Sequence, residues 1–524
     1  MRRGVSWIIA LAAALAARAQ PPAISQNGVV NLASQMPPAL AASPIARGAV
    51  FQVLGVRLTA PGAPTRIRLA RAATSISVQP ISAEARHIEA VMPADAPLGK
   101  LSLTVMVGDQ ASLPAPIEVV ASNPAIFTRS GKGWGPADAD NIKAAGKRVM
   151  NDIDQPAAPG QSVALRVTGH VDRNKIHVWL GSKPAAVVGH TRRIGPGREE
   201  ITVRLPGDTP QGCFVPVVLS SAEFPASNFA SLAVRAGSSR CGDEQHGTAP
   251  LIGPRAGVLL LGRTRTDEDG RETIWDELVG TFAEAQRGLI LAPLAMPPPA
   301  GTCTFFAGSY QSGIAVPRTP SSAMADEIGG RGLDSGREIV ISGPGGDRTV
   351  TAPTGTPGSF IAKLGGDGGP PPVRRPFFRP GSYQISGTGG PELGPFRITL
   401  EAPPEFEWTN RGQISVIDRN KPLTVTWQGA ASDRSIAIVI MNVDPASTAL
   451  GTCFCVANAQ DGRFTVPAGA LRNLPRGEDH PDPPLNVIEL LSAPARTSMR
   501  AFGSSLDSGA AFSVFGSAKL VSFR

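Results

Sequence analysis

"IEAVMPADAPLGKLSLTVMV" (residues 88–107) and "ITVRLPGDTPQGCFVPVVLS" (201–220) carry one pattern. Each has an apolar residue, then Pro-x-Asp-x-Pro-x-Gly, then an alternating apolar run. A second pair repeats upstream: "SPIARGAVFQVLGVRL" (43–58) and "DQPAAPGQSVALRVTGHV" (154–171). Gly48 and Gly160 stand 112 residues apart, while Pro93 and Pro206, and Gly99 and Gly212, stand 113 apart. Landmarks that keep one period mark an internal duplication. Each unit has the length, the short alternating strands and the turn spacing of an immunoglobulin-like sandwich. Within "KIHVWLGS", Ile176, Val178 and Leu180 share one face of a strand, and His177 and Trp179 share the other.

The rest of the composition suits an exported β-rich chain. The 58 glycines and 50 prolines among 524 residues leave little room for long helices, yet apolar residues reach 42%, enough for several cores. The start, MRRGVSWIIALAAALAARAQ, has a basic segment, an apolar run from Val5 to Ala17 and Ala-Arg-Ala before Gln20. That pattern predicts a signal peptide over 1–19 and a secreted or envelope location, with no membrane span in the mature chain. The net charge is +8, and loss of Arg2, Arg3 and Arg18 would leave +5. The basic residues are scattered, which argues against nucleic acid as a partner.

Five cysteines occur, Cys213, Cys241, Cys303, Cys453 and Cys455. An exported chain should pair most of them, with one left over. Cys213 begins a strand and Cys241 lies just past the last strand of its unit, so these two are expected to pair. Cys303 has two available partners in Cys453 and Cys455, which share a strand face. Cys-x-Cys alone, without a second cysteine pair or a histidine cluster, does not make a metal site.

"SNPAIFTRSGKGWGPADADN" (122–141) sets glycines around a lysine, as a phosphate loop does. A Walker loop, however, needs Gly-Lys-Ser/Thr followed by a helix, and Lys132 is followed by Gly133 and Trp134. The stretch is read as a turn and hairpin joining the two units. From here to "PASN", with "QPAAPGQSVALRVTGHV" and "KIHVWLGSKPAAVVGH" between, the chain resembles the Ig-like domain of exported proteins from Solibacter-type acidobacteria. The likeness spans about 122–236 well and 25–121 more loosely. The sequence departs from the family pattern at Gly181-Ser182 and in "GHTRRIGPG". The resemblance implies a β-sandwich and export, and implies no reaction.

The search for chemistry finds little. No Gly-x-Ser-x-Gly elbow occurs, and "GSYQSG" (308–313) has the wrong spacing. The six histidines form no His-x-x-x-His or His-Glu-x-x-His; His170, His177 and His190 share a unit, and His480 stands in the acidic loop "RGEDHPDPP". "TRTDEDGRETIWDE" (264–277) fails as a calcium loop, with Arg265 where the first acid belongs, and reads as a solvated turn before a short helix. Trp408 and Trp427 fall in strand patterns and belong to a core, whereas Trp134 and Trp179 are the candidates to face a ligand.

The expectation is an all-β chain of tandem Ig-like sandwiches. Its parts are a signal peptide (1–19), a first sandwich (20–121), a second (122–240), a β-rich domain (241–402) and a C-terminal sandwich (403–524). The expected function is non-catalytic interaction or adhesion with a protein or polysaccharide at the cell surface, without a catalytic, cofactor-binding or metal site. Two alternatives stand beside it, a hydrolase with its site in 248–524 and a polysaccharide-binding module array.

Overall fold

The computed structural model describes residues 20–169, 175–221, 226–237, 241, 254–268, 270–285, 293–309, 330–368, 375–444, 448–475, 486–494 and 505–524. The expected signal peptide lies outside the described residues. The architecture is all-β, and Ala468–Leu471 is the one α-helix among the described residues.

The first sandwich packs a four-stranded sheet against a six-stranded one. The first runs Ala23–Asn31, Val50–Val56, His87–Val91, Ser82–Ala83. The second runs Ile45–Ala46, Ala115–Val120, Gly99–Val107, Thr65–Arg71, Thr74–Val78. Phe51, Val53, Ile67, Leu69, Ile88, Leu103 and Val105 fill the space between them.

The second sandwich repeats that order. Ala139–Ile142, Ser162–Thr168 and Arg198–Arg204 form one layer; Ala230–Val234, Gly212–Ser220 and His177–Leu180 form the other. Lys183–Gly195 crosses between layers: Lys183 to Ala185 pair with His177–Leu180, and Ala186 onward pairs with Arg198–Arg204. The duplication is thus visible as matched topology. Gly48 and Gly160 open the equivalent strands at φ of 74° and 82°. Nothing lies near where a Cβ would sit on either, so the left-handed backbone itself, not crowding, selects glycine there.

The joint at 122–141 holds the two copies together. Asn123 Nδ2 donates to the carbonyls of Ala42 and Pro44, and a Cβ on Gly133 would meet the Ser34 carbonyl at 1.9 Å. Arg198 lies 4.6 Å over the Phe127 ring. The stretch is a structural joint, as its missing helix pattern implies.

Beyond residue 254 a nine-stranded sheet dominates. Its order is Thr302–Ser309, Ala449–Asn458, Arg434–Asp444, Val487–Pro494, Ser508–Leu520, Arg255–Glu268, Arg271–Glu284, Arg331–Gly332, with Ser359–Gly365 also on Arg271–Glu284. Strands from both sides of residue 402 share it, so a cut there passes through one sheet rather than between two bodies. The tie is the parallel ladder from Ala256↔Ser508 to Asp267↔Lys519, which pairs residues some 250 apart and leaves no local sequence mark. One face is covered by the sheet Gly346–Thr351, Glu338–Gly343, Gly381–Gly387, Phe396–Ala402. Further along, the same face is covered by Glu407–Trp408, Leu423–Gln428 and Arg463–Val466. The other face meets the second sandwich: Val258, Leu260, Val439, Phe512 and Val514 pack with Trp134, Phe214 and Leu294 to Met296.

The acidic stretch 264–277 corrects an expectation. It forms no helix; it is the end of the hairpin Arg255–Glu268 with Arg271–Glu284. Both strands are buried on two faces over most of their length, so helix-breaking polar residues near the turn were the only part the pattern exposed. Asp276 is fully buried, held bidentately by Arg263 Nε and Nη2 at 2.7 and 3.0 Å, and it accepts the N–H groups of Phe377 and Phe378. A carboxylate so saturated serves the fold and offers nothing to calcium.

Candidate functional site

A cleft of about 820 Å³ opens where the second sandwich meets the wide sheet. Its position follows from a split in that sheet. Among the described residues, Val487–Pro494 pairs with Ser508–Leu520 only from Val487↔Leu520 to Ser492↔Phe515. Past Ser492 the ladder stops, and the start of Ser508–Leu520 has no strand neighbour on that side among the described residues. Gly212, Cys213 and Pro297 to Ala300 form an outer wall; Phe454, Phe512 and Val514 form an apolar floor. The wall exists because of a bulge: the ladder shifts register between Gly212 and Val215, turning Cys213 and Phe214 out of their own core and toward the sheet.

Polar groups gather at one end: Glu401, Ser432, Asp433, Arg434, Ser435 and Asn458. Glu401 and Asp433 are exposed at the mouth, and Arg434 is buried below them, 7% exposed. Arg434 Nη1 donates to the Ser513 carbonyl at 3.2 Å and Nη2 to the Glu401 carbonyl at 2.8 Å. It thereby caps a strand carbonyl that the split leaves without a ladder partner. Burial lowers its pKa from the ordinary arginine value, and Asp433 and Glu401 oppose that from a distance. Among the described residues no histidine, lysine or tyrosine lines the cleft, and the Ser513 hydroxyl is committed to the Glu401 carbonyl. The lining can therefore orient a polar ligand, and it pairs no nucleophile with an adjacent imidazole or amine.

The residues singled out from sequence are placed as follows. Cys213 and Cys241 form a disulfide whose cysteines are both buried beside the wide sheet. Cys303 and Cys455 form a second, between directly opposed residues of paired strands. Cys453 is a free buried thiol whose pKa burial pushes up to about 12. The three sulfurs lie within 4.8 Å of one another, but the disulfide removes two of them from any ligand set. Trp134 is 2% exposed, edge-on to Phe306 at 5.2 Å and capped by Lys132, so it offers no face to a ligand. The expectation that it faces a ligand is thus corrected: the wide sheet packs over it and closes it off. Trp179 is 39% exposed and donates from Nε1 to Ser220 Oγ. Trp408 and Trp427 are core residues. His87 bonds Gln52, and His177 is exposed in a strand. His170, His246, His480 with its acidic loop, and the His190 side chain lie outside the described residues. Arg434 escaped sequence reading because a lone arginine before "SIAIVIM" looks like the solvated start of a strand.

No protein-family model matches the chain, and no curated protein does. Among solved structures, the chain is similar to a Bacteroides ovatus mixed-linkage glucan utilization locus protein, SGBP-B, in complex with a mixed-linkage heptasaccharide. Identity there is 12%, covering 77% of this chain and 78% of that one, with a TM-score of 0.15. A tetra-tandem repeat from the extending region of a large adhesion protein matches at 11% identity, over 90% and 95% of the two chains, with a TM-score of 0.13. Titin Ig tandem domains A164-A165 match at 11% identity, over 37% and 90%, with a TM-score of 0.12.

Proposed function

We propose that this is an exported, non-catalytic, multi-domain Ig-like protein of the acidobacterial type it resembles, which binds a protein or polysaccharide at the cell surface. The observation that carries this reading is the cleft. Its volume of about 820 Å³, its apolar floor and its polar end suit a small ligand or the end of a chain. Among the described residues its lining sets no histidine, lysine or tyrosine beside a hydroxyl. Two disulfides support an oxidising compartment. No helix among the described residues is long and apolar enough to cross a membrane. The test is a panel of polysaccharides and surface proteins in a direct binding assay, run beside ester, peptide and glycoside hydrolysis. Saturable binding that Pro298→Trp blocks by filling the cleft is the expected result. Turnover of any substrate by pure protein, lost on changing a cleft residue, would replace this reading with the hydrolase.

A further inference from the structure

Two arginines in the wide sheet are almost equally buried, 6% exposed for Arg263 and 7% for Arg434, and differ in one respect. Arg263 has a resident counter-ion: Asp276 grips it at 2.7 and 3.0 Å, and Glu405 lies 3.3 Å away. Its pKa is raised, although burial, the largest influence on it, acts the other way. Arg434 has none within ion-pair reach among the described residues. Its partners among the described residues are two main-chain carbonyls, which use two of its five donors. A buried cation without a paired anion is costly, and such ions in proteins are as a rule paired. Arg434 is also the one of the two that lines an open cleft. The missing partner is therefore an anionic group that arrives from outside.

The surroundings narrow what carries that group. Glu401 and Asp433 at the mouth would repel a ligand that is anionic throughout. They would accept hydrogen bonds from hydroxyls, as would Asn458. The floor of Phe454, Phe512 and Val514 suits apolar C–H surface. One carboxylate, several hydroxyls and a C–H face together describe a sugar acid. We propose that the cleft binds an acidic saccharide with a uronate carboxylate on Arg434. This rests on the binding reading above and names its ligand class.

The experiment compares trigalacturonate with its fully methyl-esterified form by calorimetry on the whole protein, with a triglutamate peptide as a third probe. The acid should bind about 10- to 100-fold more tightly than the ester, the range of a charge-assisted bidentate contact. Arg434→Gln should erase that preference, so that acid and ester bind alike, and leave the melting temperature level or higher, because an uncompensated buried charge is gone. Arg434→Gln that melts far lower while keeping the preference would make Arg434 only a cap for the split strands, and would overturn the proposal. Should the variant not fold, the acid–ester comparison on the unaltered protein decides alone. Equal affinity for acid and ester overturns the uronate assignment and leaves the binding reading intact. Triglutamate binding where neither sugar binds overturns the saccharide class. No binding by these probes or by the wider panel overturns both readings.

Discussion

The two Ig-like sandwiches share a strand order and use its outer surface in opposite ways. In the first, Gly99–Val107 and Ala115–Val120 alternate between buried and open positions, and the open face carries Arg66, Arg68, Lys100 and Glu118. In the second, the equivalent Gly212–Ser220 and Ala230–Val234 are buried along almost their whole length. There Phe214 packs with Phe306, and Val218 packs with Phe229 and Phe305, against the wide sheet. The inward positions are alike in both copies, so they set the fold. The outward positions decide whether a copy ends in solvent or becomes an interior layer. The cleft lies beside the second copy, where another sheet lies opposite.

The largest test of this contrast is a charge placed at matched outward positions. After the bulge in the second copy, Val218 corresponds to Thr104 in the first. Val218→Asp would bury a carboxylate among Phe229 and Phe305, at a cost of about 3–5 kcal/mol. Thr104 is itself only 5% exposed, but Thr104→Asp would stand directly opposite the exposed Arg68 and cost less, about 1–2 kcal/mol. Urea unfolding of the full chain measures both. Equal losses would mean that the two faces do not differ as described.

A step smaller is the disulfide. The first copy has Lys100 where the second has Cys213, each one residue past its matched glycine. The Cys213–Cys241 bridge closes a separation of 28 residues, worth about 3–4 kcal/mol in the chain-entropy account. Cys213→Ser should lower the melting temperature of the chain and release the wall of the cleft, reducing ligand affinity as well. Loss of stability with affinity untouched would show that the bulge alone holds the wall.

The strands, the duplication and the Cys213–Cys241 pair were legible because each is local or periodic. What escaped was set by neighbours far along the chain. Val258 and Leu260 face one core and Leu259 and Leu261 another, so "GVLLLG" shows no alternation, and its parallel partner begins at Ser508. Trp134 reads as exposed because it falls in no strand pattern of its own; its burial comes from Phe306 and the sheet beyond. The constant glycine spacing hid a one-residue parity change: the bulge before Val215 moves every later residue of that strand to the opposite face from the one a shift of 113 predicts. Arg434 carries no motif at all. Its lack of a counter-ion among the described residues stands out only against the Asp276 that Arg263 possesses.

The smallest test concerns acid. Glu200 in the second copy matches His87 in the first at the 113-residue shift. Glu200 is buried and bridged by Arg148 at 2.6 and 2.8 Å, with Arg192 at 3.2 and 3.3 Å. The Arg148 bonds lead in drawing its pKa down to about 2, against burial, with Arg192 adding to them. A carboxylate held below its unfolded value of about 4.5 contributes stability that is complete above pH 4.5 and is lost as the pH falls toward 2. Because Arg148 and Arg192 are 38% and 61% exposed, salt and water screen the pair, and about 1–2 kcal/mol is a fair expectation. Glu200→Gln should therefore be less stable than the unaltered chain by that amount at pH 6, with the gap closing as both are taken to pH 2. His87→Gln, which removes a partly exposed contact to Gln52 at 3.1 Å and to the Glu89 carboxylate at 4.0 Å, should change that limb by less than about 1 kcal/mol. A gap at Glu200 that stayed constant down to pH 2 would assign the effect to packing, and the electrostatic difference between the two copies would vanish with it.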